Sequence, residues 1–345
     1  MEAVNRLSVE SRRRRRGILV MSILGALIIV SFIISMNSGY IRMSPMSVLR
    51  TLFGFGSSKD ELILFDFRLP RIVISLLIGA GLAVSGCILQ GVSRNALADP
   101  GILGINAGAG LVVTLYVAFY SNAAGSVGVF VLPMLAMLGA GLAAFVIYSL
   151  AYKRNEGISP TSLILTGIAV AAGISSIMIV ITLRISPEQY QFVQTWLIGS
   201  VWGTNWKFVL ALLPWIVLLI PYTMMRANVL NILNLSEQTA AGLGAPIEKS
   251  RRVLLAVAVG LAGSCVSVSG GIGFVGLIGP HLARRLVGPK HQLLIPTAAL
   301  VGALLTIVAD TIGRSILPKQ EIPIGVVVAV IGAPYFLYLL ARSKA

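Results

Sequence analysis

The stretch FRLPRIVISLLIGAGLAVSGCILQG, Phe67 to Gly91, decides how the rest of the chain is read. Arg71 is followed by twenty residues without a charge, the length of a transmembrane helix. Gly79, Ala83 and Cys87 recur at every fourth position, so one face of that helix is small enough for another backbone to approach. Pro70 suits the first turn, where a missing N–H costs nothing. Basic residues at a membrane edge ordinarily mark the cytoplasmic side. Here the alternation of apolar segments after Arg12–Arg16 puts Arg68 and Arg71 on the outer face instead. Two such residues within four positions either anchor a helix end by snorkelling or receive an acidic partner outside the cell, and docking is the expectation.

Composition agrees with a membrane protein. Of the 345 residues 57% are hydrophobic and 11% charged, against about 25% charged in soluble domains. The net charge of +15 lies at membrane edges, with no aromatic-interleaved basic patch, so no nucleic-acid partner is expected. Cys87 and Cys265 fall within apolar segments and read as packing residues.

About ten spans follow, near 17–37, 70–91, 100–120, 127–151, 160–183, 206–226, 252–271, 272–287, 293–314 and 323–341. The fold class is therefore an all-α integral membrane protein. Residues 1–16 form a basic cytoplasmic segment and 17–345 a single polytopic domain, with a cytoplasmic loop at 227–250. The first apolar segment exceeds the ~7–15 residues of a cleavable signal and lacks a cleavage site. This topology puts 18 of the 27 basic residues inside and 9 outside, which favours both termini in the cytoplasm. Tyr190 to Gly203, half apolar, is expected as a short helix on the outer surface. The spans that begin at Arg71 (RIVISLLIG) and Arg252 (RVLLAVAVG) share their spacing but enter from opposite sides. That is the pattern of an inverted internal repeat, which puts a transport path between the halves.

Several activities lack their residues. No lysine follows a glycine, so a phosphate-binding loop and ATP hydrolysis on this chain are not expected. His281 and His291, the only histidines, have no metal-ligand spacing around them, and a structural role is expected for His281. Asp310 is the one acidic residue inside a span. An ion-coupled secondary carrier, the alternative from another class, generally needs buried ionisable groups deep in the bilayer. An intramembrane enzyme would lack a nucleophile and base. The energy source is then another subunit, and the 227–250 loop suits contact with one. There Ser236 can cap a short helix from Glu237 to Ala241, with Gly242 and Gly244 to end it and Pro246 barring its continuation.

From about Tyr40 onward the chain resembles the permeases of iron-chelate and cobalamin ABC importers, the FecCD group of type II importers. The residues that carry the likeness are Arg68-Leu-Pro-Arg71 with Gly79-Ala-Gly-Leu-Ala83 and Gln90, Arg94-Asn95 with Leu97-Ala-Asp-Pro100, and Trp196-Leu-Ile-Gly-Ser200. Leu243-Gly244, Gly273-Phe-Val-Gly-Leu-Ile-Gly-Pro-His281, Ala309-Asp310 with Arg314, Glu321-Ile-Pro-Ile-Gly325 and Gly332-Ala-Pro334 continue it. Ala96 stands where the family usually has proline.

The resemblance implies ten helices in the type II permease fold and two permeases side by side, the second a copy or a paralogue. It also implies two cytoplasmic ABC ATPases, an extracytoplasmic substrate-binding protein and a place in the bacterial plasma membrane. By the same resemblance Arg68, Arg71 and Arg314 dock the binding protein. Glu237, Ala241, Gly242, Leu243 and Gly244 belong to the segment that couples to the ATPase. Asn95, Leu97, Ser159, Thr161 and Ser162 form the inner gate. The chain is expected to be no enzyme and to hold no cofactor, with ATP used by the partner. A ferric siderophore is the expected cargo, with cobalamin and haem as alternatives.

Overall fold

The computed structural model describes residues 2–39, 43–120, 130–153, 157–235, 239, 242, 247–317 and 320–343. In chain order these form α1 (Glu2–Asn37), α2 (Pro45–Leu52), α3 (Ser58–Glu61), a π-helical turn (Leu62–Arg68) and α4 (Leu69–Ser93). A 3-10 turn (Pro100–Leu103), α5 (Ile105–Tyr120), α6 (Val131–Ala151), α7 (Pro160–Thr182) and α8 (Pro187–Ile198) come next. The remainder is α9 (Trp206–Met225), α10 (Ala227–Leu233), α11 (Ile247–Ser269), α12 (Val275–Val287), α13 (His291–Ser315) and α14 (Ile324–Ser343). One antiparallel ribbon, Tyr152–Lys153 against Gly157–Ile158, is a small departure from an all-α chain.

The small-residue stripe puts α4 at the centre. Its apolar window is 78% buried, against 11% for those of α1 and α7. Thr306 Oγ1 donates to Ser75 O at 2.7 Å, and Gly91 lies beside the His291 ring, so α13 runs antiparallel to α4. Between those points a Cβ on Gly302 would lie 2.1 Å from Gly79 O. Only two glycines allow the backbones to come that close. On another face Ser85 Oγ donates to Ala258 O of α11 at 2.7 Å, and Cys265 fills the space beside Gly81.

Among the described residues seven helices are long and apolar enough to cross a membrane: α1, the continuous run Ser58–Ser93, α6, α7, α9, α11 and α13. Ile105–Tyr120 and Ile324–Tyr338 are shorter apolar helices. The expected span at 272–287 is different in kind. Gly270 to Gly273 are not helical and α12 has only 13 residues, about 20 Å at the α-helical rise against a hydrocarbon core of ~30 Å. Such a break is tolerated at membrane depth where protein surrounds it. It meets the other break, after α4, because Gly276 lies against Pro100 and Asp99.

Two further readings change. The 227–250 loop is partly helical, with α10 at its start and the first turn of α11 at its end. The surface helix expected at Tyr190–Gly203 is α8, begun earlier by a capping box in which Ser186 and Gln189 satisfy each other's backbone N–H.

Replacing Gly302 by valine should lower the thermal unfolding midpoint of the detergent-solubilised chain, at a cost of roughly 1–3 kcal/mol for overpacking. Gly141→Ala, with nothing within 4 Å of the added carbon, should leave the midpoint unchanged or raise it.

Candidate functional site

The three arginines singled out from the sequence converge at the end of α4 where the helix begins, here the Arg71 end. A π-helical turn carries an extra residue per turn and often marks a functional position. Here it delivers Arg68 onto the C-terminus of α1, where the guanidinium donates to Met36 O. Arg71 Nε donates to Asp310 Oδ1 at 2.9 Å and its Nη1 to Glu321 Oε2 at 2.7 Å. Arg314, one turn beyond Asp310 on α13, places Nε 3.0 Å from Asp310 Oδ2, a charge contact without an aligned N–H. Its other nitrogens reach Ser35 Oγ and, at 3.4 Å, Ser38 O.

Three cations thus meet two carboxylates among the described residues. The surplus charge faces the last carbonyls of α1, the negative end of that helix. Arg68 and Arg314 are buried, 5% and 7% exposed, so these two are held inside the chain rather than projecting from it. Arg71 and Arg314 also line a cavity of about 790 Å³, whose wall includes Glu321, Trp196, Trp202 and Phe208. Its size and mixed lining suit a ligand or an inserted side chain.

At the opposite end, the Arg94 end, the connection after α4 is built from local hydrogen bonds. Arg94 ends the helix in the left-handed region, φ 52°, and its Nε donates to Leu233 O of α10 at 2.9 Å. Asn95 Oδ1 accepts from Leu97 N at 2.9 Å, and Asp99 Oδ1 from Gly101 N at 2.8 Å. These two turns shape the 3-10 segment against which α7 packs. Burial lifts the Asp99 carboxyl to about 6, against the opposing pull of the Gly101 N–H.

Beside these turns the packing is mostly apolar, with Ser93 and Asp99 at its edge. Leu163 of α7 meets Leu89 and Val92 of α4, Leu103 and Leu255 around a void of only 10 Å³. Of the expected gate residues, Asn95, Leu97 and Ser162 are half-buried and Ser159 and Thr161 are exposed, and the void is lined by others. The expected coupling residues Glu237, Ala241, Leu243 and Gly244 lie outside the described residues, and Gly242 is exposed.

Glu321, Asp99 and the α1 terminus were not anticipated as site elements. One signal for the first existed: a guanidinium near a bilayer edge calls for a counter-charge. Asp310, the only acid within the spans expected from the sequence, could not serve both Arg71 and Arg314 fully.

The family model described as the FecCD transport family matches residues 27–342. An iron(3+)-hydroxamate import system permease protein of Bacillus subtilis (strain 168) is 49% identical over 96% of this chain and 99% of its own length. A cobalamin import system permease protein of Halobacterium salinarum is 39% identical, covering 81% of this chain and 73% of its own. A solved structure of a metal-chelate type ABC transporter in an inward-facing conformation superposes with a TM-score of 0.81 at 30% identity. It covers 94% of this chain and 99% of that one.

Asp310→Asn should destabilise the chain by roughly 3–5 kcal/mol, because two guanidiniums lose a buried partner. A double-mutant cycle of Arg71→Gln with Asp310→Asn, read by thermal unfolding in detergent, should return a coupling of roughly 0.5–3 kcal/mol.

Asp99 supplies a pH effect. Its folded pKa of about 6 lies above the ~3.9 of an unfolded aspartate. The associated stability is fully present below the lower value and is lost as pH rises through the higher one. Asp99→Asn, which keeps the acceptor for Gly101, should flatten the decline in unfolding temperature between about pH 4 and 6.

Proposed function

We propose that this chain, which belongs to the FecCD transport family, is the membrane-spanning permease subunit of an ABC importer that carries a ferric siderophore into the cell. The full-length similarity to iron(3+)-hydroxamate and iron(3+)-citrate import permeases, at 49% and 42% identity, is the observation that supports this most. A ferric hydroxamate is the first cargo to test. ATP is hydrolysed by separate subunits, two per transporter, and this chain holds no cofactor. The permease works beside a second copy or a paralogue in a bacterial plasma membrane, with both termini inside and ten helices arranged as an inverted repeat.

The geometry supports a division of labour between the two ends. The cavity at the Arg71 end faces outward and receives what a binding protein delivers, with Arg71 at its wall and Arg68 and Arg314 behind it setting the positive field. A partner carboxylate would compete with Glu321 for Arg71 more easily than with the deeply buried Asp310. The Arg94 end is the inner gate. Its seal of leucine and valine side chains can part without stranding a hydrogen bond. The segment between α10 and α11 transmits the ATPase's motion to these helices.

Uptake of radiolabelled iron as a ferric hydroxamate should fall to background on deletion of the gene, and only while cellular ATP is intact. Loss of cobalamin uptake alone would keep the transport class and change the cargo. Uptake driven by an ion gradient in liposomes holding this chain alone would replace the importer with a secondary carrier.

A further inference from the structure

At the Arg94 end a second site is built where α9 bends into α10 beside the first turn of α11. Arg226 is at once the C-cap of α9 and the N-cap of α10. A cleft of about 180 Å³ opens there, lined by Arg226, Val229, Lys249, Ser250, Val253 and Leu254. The Arg226 Nε donates to Tyr222 Oη at 3.2 Å, and the guanidinium carbon lies 5.4 Å from the centroid of the same ring. The aromatic ring therefore holds the guanidinium in place and leaves its two terminal nitrogens as a fork.

Among the described residues neither Arg226 nor Lys249 has an acidic partner, and the Ser250 hydroxyl has no hydrogen bond. The nearest acid in sequence, Glu248, is turned to Arg251 at 3.5 Å. Three donors, two of them charged, thus share one cleft with no anion among the described residues to satisfy them. A fork of N–H groups beside an ammonium and a hydroxyl matches the oxygens of a phosphate.

The surroundings select the source of that phosphate. Met225, immediately before Arg226, is 81% exposed, and Leu218 and Met224 on the same helix are exposed as well. A ligand held here by its phosphate would lay its remainder along an apolar helix face. Charge bias puts this end on the cytoplasmic side, where basic pockets between helices take anionic lipid headgroups.

We propose that this cleft binds the phosphodiester headgroup of an anionic phospholipid from the inner leaflet. The lipid then bridges α9–α10 and α11, the two stems of the segment between them. Its binding does not depend on the transport reading; its consequence, steadying the segment that meets the ATPase, rests on that reading.

The test is native mass spectrometry of the full chain released from nanodiscs of phosphatidylglycerol and phosphatidylcholine, with phosphatidylglycerol counted on wild type and on the Arg226→Gln/Lys249→Gln variant. Wild type should retain one more phosphatidylglycerol than the variant, with an affinity difference of roughly 30-fold for two lost cations. Val229→Trp, which fills the cleft and keeps both charges, should lose the same lipid. Equal retention by wild type and both variants would overturn the proposal. Displacement of the lipid by inorganic phosphate at equal concentration would make this a small-anion site instead. Displacement by added ATPase subunits would hand the cleft to a protein carboxylate, and would equally overturn it. Labelling of Arg12→Cys by an impermeant maleimide on intact cells would refute the inside assignment, while the lipid count would still decide the site. Failure of iron uptake to depend on this gene would refute the transport reading and leave the count untouched.

Discussion

The contact between α4 and α13 is the constraint on which the rest of the structure depends. Lipid supplies no hydrophobic drive between helices, so association must come from close packing and polar pairing. Both are present along this one seam. Gly79 and Gly302 bring the backbones together, Thr306 donates across to Ser75, and Arg71 pairs with Asp310 where the seam ends. With α4 held there, its other faces are free to take α11 and α12, and the remaining helices form the periphery. The arginines are thus structural parts of the bundle, because burial forces them to find partners.

The two ends of the bundle differ in the kind of interaction that closes them. At the Arg71 end, ion pairs and helix-terminal carbonyls fix α1, α4, α13 and the approach to α14 relative to one another. Separating those elements without admitting water would leave buried charges unpaired, at a cost of several kcal/mol. At the Arg94 end, apolar side chains meet around two short polar turns. A seal of that kind is lost and remade at a far smaller cost, since dispersion contacts are individually weak. The Arg71 end is thus the stiffer of the two and the Arg94 end the more compliant.

Both breaks in helical structure lie near that seal. The turn after α4 and the Gly270–Gly273 segment before α12 touch through Gly276, Pro100 and Asp99. A span interrupted at such a point leaves backbone groups that only neighbouring protein can satisfy. Phe274, in the left-handed region at φ 66°, marks the start of α12 and packs against Gly332 of α14. Strain of this sort persists only where the surroundings hold it. The breaks therefore tie α12 and α14 to the closure rather than leaving them as passive walls.

The order of the apolar segments, the small-residue face of α4, the start of that helix at Pro70 and the helix that became α8 were all legible in the sequence. Each follows from composition or from spacing over a few turns, and such local chemistry does not need the rest of the chain. The shortness of α12 was hidden because Ile272 and Phe274 continue the apolar run through its glycines. The helix α10 was hidden because its seven residues show too little of a period. The three arginines could be named from the sequence and set at one end, but their surroundings could not. Arg71 finds Asp310 across 239 residues and Glu321 across 250, and Arg68 and Arg314 find the end of α1. Composition and spacing suffice to set charges at the membrane edge and small residues along the central helix. Which carboxylate or carbonyl neutralises each charge is a matter of packing, because a buried cation takes whatever partner distant helices bring within reach.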